Sequence, residues 1–317
     1  MLTQTFILIL GLILLVKGAD FLLSSSIALG KKFNVSDFFI GLIVVGFGTS
    51  LAELLVSIEA VIKHSPDLSV GNIIGSNISN ILLVLGISLA FSSITPKKIS
   101  KFDINFHLIS HLLFLFIISV FIFNTITGIF FLLLFAMYVI FSFKNSSIKS
   151  NEEINLNDFF SRITYENPVK FGLPIIILSI LLTLCGAQLT VESAIKISTL
   201  LGIPDSFLGL TVIAIGTSLP EVVTSIRAMQ RKNSEIVIGN IIGSNIYNLL
   251  LILGFVSLFN SFKFSKELLF FEINYLIISV IVFSIFLFFR INFKKKYSII
   301  FLIFYLVYLL KLYFSNF

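Results

Sequence analysis

The sequence has few of the residues that soluble and secreted proteins use freely. It contains no tryptophan, one cysteine (Cys185), six prolines and only 12% charged residues in a chain of 317. A single cysteine excludes an internal disulfide. With so little charge, a soluble domain of this size could not cover its apolar surface. Hydrophobic residues make up 57% of the chain, and its mean hydropathy is +1.08. The composition therefore predicts a polytopic membrane protein.

On a soluble protein, an excess of basic residues with a net charge of +6 would indicate a nucleic-acid partner. Here Lys and Arg fall mainly in short polar breaks between apolar segments, which is typical of membrane proteins. We therefore expect no nucleic-acid partner. The first basic residue is Lys17, so no charged region precedes the first apolar segment, and we expect that segment to be retained as a helix.

The chain divides into apolar segments long enough to cross a bilayer, for which about 20 residues suffice. Ten such segments fit, at residues 4–28, 37–62, 69–91, 104–123, 126–143, 170–197, 205–229, 236–259, 268–290 and 297–314. The longest polar stretch, residues 144–167, is rich in Ser, Asn and Glu. We predict an all-α polytopic membrane protein with ten transmembrane helices. Five lie in residues 1–143 and five in 170–317, joined by a cytoplasmic linker at 144–169.

The distribution of Lys and Arg predicts the orientation of these helices. Sixteen lie in the loops after helices 1, 3, 5, 7 and 9, and five lie on the opposite side. The basic side is expected in the cytoplasm, which places both termini outside a cell (inner) membrane. Because each half has five helices, the second half enters the membrane from the opposite face. The two halves are therefore predicted to be inverted repeats, an architecture common in secondary transporters.

One stretch of sequence occurs twice, with equivalent residues 168 positions apart. The first copy contains GFGTSLAE at 46–53 and GNIIGSNISN at 71–80, and the second contains AIGTSLPE at 214–221 and GNIIGSNIYN at 239–248. Each copy places a glutamate, Glu53 or Glu221, inside an apolar run. An ionisable group is costly in lipid, so the two glutamates indicate a functional site.

The residues around each glutamate favour a cation site. Paired glycines weaken a helix, and carbonyl groups freed in lipid must find partners inside the protein. Pro220 is expected to add a further break, because it cannot donate a backbone hydrogen bond. Hydroxyl, carboxylate and carbonyl oxygens are the ligands that Ca²⁺ prefers. The candidate side chains are Thr49, Ser50 and Glu53 in the first copy and Thr217, Ser218 and Glu221 in the second.

The second motif adds two serine–asparagine pairs, each spaced four residues apart and so on one helix face. These pairs are Ser76 with Asn80, and Ser244 with Asn248. Asn77 and Asn245 fall on an adjacent face and are expected to hold helices together. The glycines of the motif are expected to allow close helix packing, and they are Gly71, Gly75, Gly239 and Gly243.

Polar residues outside the repeated motifs are weaker candidates. His107 and His111 are four residues apart, beside Asp103, and could hold a metal, although an interfacial role is the simpler interpretation. Asp20 and Glu192 are not repeated as acids in the other half. They either line an access path or pair with neighbours, and Lys17 is near enough in sequence to pair with Asp20.

The paired motifs, GTSLAE with GNIIGSNISN and GTSLPE with GNIIGSNIYN, resemble the two α-repeats of the sodium/calcium exchanger family within the Ca²⁺/cation antiporter superfamily. The resemblance covers nearly the whole chain, whose size is similar to that of prokaryotic members. It implies that the candidate side chains above are ion ligands, joined by the backbone carbonyls of Gly46 and Ala214. One departure is that some archaeal members have Asp where this chain has Asn248.

The resemblance implies a secondary antiporter that exchanges Na⁺ for Ca²⁺, with three Na⁺ for one Ca²⁺ and with ions bound between the two repeats. Its partners would be these ions and the lipid bilayer, without a cofactor. The alternative is an exchanger of H⁺ for Ca²⁺ or another cation, in which protonation of the glutamates replaces Na⁺ binding. No HExxH motif, Cys-His pairing or Gly-rich phosphate loop is present, so we do not expect an enzyme.

Overall fold

The computed structural model describes residues 2–63, 66–96, 99–120, 123–146, 159–201, 216–259 and 270–315. These residues are almost entirely helical. The helices are α1 (Leu2–Phe33), α2 (Asp37–Thr49), α3 (Leu51–Ile62), α4 (Pro66–Phe91), α5 (Lys101–Val120), α6 (Thr125–Asn145), α7 (Phe159–Glu166), α8 (Leu173–Leu200), α9 (Leu219–Gln230), α10 (Ser234–Phe259), α11 (Phe270–Phe288) and α12 (Tyr297–Ser315).

Seven helices among the described residues are long and apolar enough to cross a membrane, or eight if the bent pair α2–α3 counts as one span. A shorter apolar helix, Tyr297–Leu312, lies within α12. The prediction of an all-α polytopic membrane protein is therefore confirmed. The count of ten spans and the inversion of the two halves stay predictions, and part of the seventh predicted span, 205–229, lies outside the described residues.

Helix α7 was not predicted, because it lies inside the polar stretch assigned to the linker. It packs against α1, where the rings of Phe160 and Phe21 are 4.4 Å apart. Lys32 of α1 also lies over the ring of Tyr165, 5.0 Å from its centroid. Two aromatic residues, Phe160 and Tyr165, therefore hold this short helix against α1. It has no long apolar run that would reveal it in the sequence.

The most extensive helix contact in the described part of the chain runs along α1 and α8. A Cβ atom added at Gly186 would lie 2.7 Å from the Leu15 Cα, and one added at Gly11 would lie 2.8 Å from the Thr190 backbone nitrogen. Only glycine permits so close an approach of two helix backbones. The pair α1–α8 is consequently held by backbone contact rather than by interlocking large side chains.

Helices α4 and α10, which carry the second motif, are the most deeply buried candidate spans. A Cβ atom at Gly239 would lie 2.8 Å from the Leu42 nitrogen, and one at Gly243 would lie 2.9 Å from the Leu42 Cα. The expected close packing is confirmed for these glycines of α10. At Gly75 of α4 it is wrong, because the nearest atom would be the Tyr308 hydroxyl at 3.6 Å.

One helix break lies inside the first motif of each copy. Helices α2 and α3 meet at an angle of 42°, and Ser50 between them has ψ of 3° in place of a helical value. Ser218, before α9, has the same ψ of 3°. The sequence prediction of an opened backbone beside the paired glycines is thus confirmed. Further π-helical turns run from Asn80 to Val84 and from Tyr247 to Ile252, a feature frequent at functional sites.

Candidate functional site

The two glutamates occupy equivalent places at the start of half-helices. Glu53 lies in the first turn of α3 and Glu221 in the first turn of α9, and both are fully buried. A helix N-terminus carries partial positive charge, which stabilises a carboxylate there. Pro220 stands in this same first turn, where its missing N–H is not needed. The expectation that Pro220 adds a further break is therefore wrong, because Pro220 lies in the first turn of α9, after the break at Ser218.

The two copies of the motif meet in the structure. The Ser50 hydroxyl donates to Glu221 Oε1 at 3.4 Å, which connects the break after α2 to α9. The charges of Glu53 and Glu221 repel each other, and Ser76 of α4 lies beside Glu53. The Ser244 hydroxyl of α10 donates to the Gly46 carbonyl at 3.4 Å. Side chains of α2, α3, α4, α9 and α10 thus converge on one buried region.

Seven buried side-chain oxygens in this region have no hydrogen-bond partner among the described residues. They are Oε1 and Oε2 of Glu53, Oε2 of Glu221, Oγ of Ser76 and Ser218, and Oδ1 of Asn80 and Asn248. A buried polar atom without a partner costs about 1–3 kcal/mol. The carboxylate and amide oxygens of this set create a region of negative potential, which a hard cation would neutralise. Ca²⁺ takes about six to eight oxygen ligands, so the donor set suits it.

The remaining candidates of the first motif are partly engaged. The Thr49 hydroxyl donates to the carbonyls of Val45 at 3.1 Å and Gly46 at 3.3 Å. The Gly46 carbonyl also accepts from the Ser50 backbone N–H at 3.0 Å. Thr217 is half-buried, and Ala214 lies outside the described residues. Thr49 can still offer an oxygen lone pair, because its hydroxyl acts only as a donor in these bonds.

Sequence reasoning missed a supporting pair, Asn72 and Asn240. The Asn72 amide donates to the Glu53 carbonyl at 3.2 Å and to the Ser57 hydroxyl at 3.0 Å. The Asn240 amide donates to Ser225 at 3.1 Å, while its oxygen lies 3.4 Å from the Thr49 hydroxyl. Both asparagines follow the first glycine of GNIIGSN, so their repetition at equivalent positions is the signal that would have found them.

Asn77 and Asn245 do hold helices together, as predicted. The Asn77 amide donates to the Asn245 carbonyl at 3.4 Å, which joins α4 to α10. His107 and His111 of α5 are fully buried against this contact, so the interfacial role assigned to them is wrong. The metal alternative finds no support, because no group of three His, Cys, Asp or Glu suited to a metal occurs in the part of the chain that the structure describes.

Asp20 pairs with neighbours, one of its two predicted roles, but its partners come from α9. Nε and Nη2 of Arg227 each donate to one Asp20 carboxylate oxygen at 2.7 Å. Arg231 reaches the same carboxylate at 3.2 Å and the Ser24 hydroxyl at 2.8 Å. This cluster ties α1 to α9. The equivalent residues of the other half bond within their own helices, Lys63 to Glu59 at 2.5 Å and Gln188 to Glu192 at 2.9 Å.

Comparison with known proteins agrees with this arrangement. The family described as sodium/calcium exchanger protein matches residues 3–144 and 171–314, so each match covers one half of the chain. The sodium/calcium exchanger MaX1 of Methanosarcina acetivorans is 33% identical, over 99% of this chain and 100% of that protein. An uncharacterized membrane protein of Methanocaldococcus jannaschii is 41% identical over 75% of this chain and 76% of its own length.

Solved structures of the sodium-calcium exchanger NCX_Mj share the fold. One of them, soaked with 2.5 mM Na⁺ and 10 mM Sr²⁺, superposes with a TM-score of 0.79 at 34% identity, and the match covers 96% of this chain and 97% of that one. The match of the family model to both halves and the full-length relative agree with each other. The chain therefore belongs to the sodium/calcium exchanger protein family, a family of membrane transporters and not of enzymes.

Proposed function

We propose that the protein is a secondary antiporter that exchanges Na⁺ for Ca²⁺ at the buried region between α2, α3, α4, α9 and α10. The observation that carries the proposal is the set of seven buried oxygens without partners around Glu53 and Glu221. The proposed ligands are Glu53, Glu221, Thr49, Ser50, Thr217, Ser218, Ser76, Asn80, Ser244 and Asn248, with the carbonyls of Gly46 and Ala214. A relative matched over its whole length and a solved structure that shares the fold both carry the name sodium/calcium exchanger.

The charge of the site explains why the two ions compete. Two ionised glutamates give a charge of −2, which one Ca²⁺ neutralises and which three Na⁺ would convert to +1. Moving one net charge across the membrane is worth about 2.3 kcal/mol per 100 mV. The Na⁺ gradient and the membrane potential would then both drive Ca²⁺ out of the cell. Without a bound ion, the doubly charged site is costly to move through lipid, so exchange is favoured over leak.

The proposed architecture is ten transmembrane helices in two inverted halves, with the ions bound between them. Two observations support it. The family model matches the halves separately, and both glutamates begin a half-helix after a break, as binding helices in inverted-repeat transporters do. Hydroxyl groups beside each glutamate favour Na⁺ over H⁺ as the coupling ion, since a proton needs no oxygen cage.

The test of this function is Ca²⁺ uptake into proteoliposomes loaded with Na⁺. We expect ⁴⁵Ca²⁺ uptake to require internal Na⁺ and to fall to the level of protein-free liposomes when K⁺ or choline replaces it. With the potential clamped by valinomycin and K⁺, an inside-positive potential should accelerate Na⁺-driven Ca²⁺ uptake, because the cycle exports a net positive charge. Uptake that ignores Na⁺ and follows an imposed pH gradient would contradict the proposal and support H⁺/Ca²⁺ exchange.

Orientation is tested separately, by labelling a cysteine in the segment between the halves. Cys185 is the single native cysteine and is exposed, so the background is Cys185→Ser. A Ser147→Cys substitution should be shielded from impermeant thiol reagents in intact cells and should react after the cells are opened. Ready labelling in sealed cells would place this segment outside and reverse the proposed orientation of both termini.

A further inference from the structure

Two of the proposed ligands, Asn80 and Asn248, are held by crossed hydrogen bonds between α4 and α10. Asn80 Nδ2 of α4 donates to Asn245 Oδ1 of α10 at 3.1 Å. Asn248 Nδ2 of α10 donates to Asn77 Oδ1 of α4 at 2.9 Å. Each ligand amide therefore turns its nitrogen toward an asparagine of the other helix. Its own oxygen is left without a partner among the described residues.

The partner asparagines are in turn held by two histidines of α5. Asn245 Nδ2 lies 3.3 Å from His107 Nε2, and Asn77 Nδ2 lies 3.4 Å from His111 Nε2. His111 Nδ1 lies 2.7 Å from the His107 carbonyl oxygen, to which it can only donate. The hydrogen of the neutral ring is thus on Nδ1, and Nε2 presents a lone pair to Asn77.

Two separate hydrogen-bonded chains result, and each crosses between the halves. One runs from His107 through Asn245 to Asn80, and the other from His111 through Asn77 to Asn248. An amide has nearly the same shape after a half-turn that exchanges its oxygen and nitrogen. A glutamate presents oxygen in either orientation, whereas an asparagine binds a cation only if its oxygen faces it. The two asparagine ligands therefore need a device that fixes their orientation.

We propose that His107 and His111 are positioning residues that select the cation-binding orientation of Asn80 and Asn248. This proposal rests on the proposed function. Each histidine accepts the N–H of its asparagine, which leaves that asparagine's oxygen to accept from the ligand. The ligand's own oxygen then faces the site. A single helix, α5, thereby orients one ligand in each half of the molecule.

The experiment compares histidine variants with and without an acceptor at the Nε2 position. His107→Leu and His111→Leu remove the acceptor, while His107→Gln and His111→Gln offer an amide oxygen in a similar place. Loss of one buried hydrogen bond in such a network should raise the half-saturating Ca²⁺ concentration by about tenfold. We expect the Gln variants to stay within about twofold of the native protein. Maximal exchange rates should change little in all four.

The matched control is Ser110→Ala. Ser110 is buried on the same helix, and its hydroxyl donates to the His107 carbonyl at 2.9 Å. That carbonyl still accepts from His111 Nδ1 when the hydroxyl is removed, so the tautomer of His111 is kept. This change should leave the half-saturating Ca²⁺ concentration unaltered. An increase as large as that of the Leu variants would show that any disturbance of α5 weakens binding, and would overturn the positioning role.

The crossed chains give a second readout that simple helix packing would not produce. In an Asn248→Asp background the ligand has oxygen at both ends, so His111→Leu should lose most of its effect while His107→Leu keeps it. In an Asn80→Asp background the pattern should reverse. Equal effects of each histidine in both backgrounds would overturn the proposal.

Direct ⁴⁵Ca²⁺ binding to the purified protein without Na⁺ separates this proposal from the transport proposal. If the native protein binds Ca²⁺ but shows no Na⁺-driven exchange, the Na⁺/Ca²⁺ function fails while the crossed pattern can still be measured by binding. If Na⁺-driven exchange is present and the Leu variants bind Ca²⁺ like the native protein, the positioning role fails alone.

Discussion

Replacing either buried glutamate by glutamine is expected to abolish Ca²⁺ exchange. Glu53→Gln or Glu221→Gln keeps the volume of the side chain but removes one of the two negative charges that face the cation. A neutral amide also directs N–H groups toward a site otherwise made of acceptors. We expect Na⁺-driven ⁴⁵Ca²⁺ uptake to fall by at least about a hundredfold, equivalent to about 2.7 kcal/mol. The folded protein should persist, because removing a buried charge relieves the repulsion between the two carboxylates.

The matched control lies on the same helix as Glu53. Glu59 is exposed and pairs with Lys63 on the surface of α3, so Glu59→Gln removes the same charge away from the site. Its exchange rate should match that of the native protein. Normal exchange by either Glu53→Gln or Glu221→Gln, or an equal loss in Glu59→Gln, would refute the placement of the ion site.

A second large effect is expected from one methyl group on α10. In Gly243→Ala the new Cβ would overlap the Leu42 carbonyl oxygen and lie 2.9 Å from its Cα. Backbone atoms cannot turn aside as a side chain can, so α10 must move away from α2. Overpacking of this kind costs about 1–3 kcal/mol or more. We expect a lower unfolding temperature in detergent and a smaller monodisperse fraction by size-exclusion chromatography.

The duplication supplies the matched control for this change. Gly75 is equivalent to Gly243, but a Cβ there meets only the Tyr308 hydroxyl, at an ordinary contact distance of 3.6 Å. Alanine is favoured over glycine inside a helix by about 1 kcal/mol. Gly75→Ala should therefore leave the unfolding temperature unchanged or raise it. A similar fall in unfolding temperature in both variants would contradict the conclusion that, of these two glycines, only Gly243 packs closely against another backbone.

Much of the fold and of the site could be predicted from the sequence because the same two motifs occur in both halves. Ser50 and Ser218 lie at helix breaks with matching backbone angles, where glycines made a weak helix predictable. The polar residues of both motifs were singled out because polar atoms inside an apolar run must have partners. In the structure Glu53 and Glu221 are both buried, and they are close enough for their charges to repel each other, which agrees with that reasoning.

The rest depends on contacts between segments that are far apart in sequence. In sequence, His111 is 34 residues from Asn77 and His107 is 138 residues from Asn245, so their spacing on α5 could not reveal these partners. The two small-xxx-small patterns are alike in sequence, yet only the one on α10 faces another backbone closely. Asp20 finds its arginines 207 and 211 positions away, where local sequence pointed to Lys17.

The cluster of Asp20 with Arg227 and Arg231 has a consequence for the transport cycle. If alternating access exchanges the conformations of the two halves, α1 must separate from α9 while α8 approaches α3. Equivalent positions then put Glu192 in the place of Ser24 and Lys63 in the place of Arg231, so an acid would meet a base. Each end of the ion pathway would thus have its own pair of opposite charges between helices, and forming one pair would require breaking the other. The partly buried charges of the Asp20 cluster, which are not among the proposed ion ligands, would then set which side of the membrane the empty carrier faces.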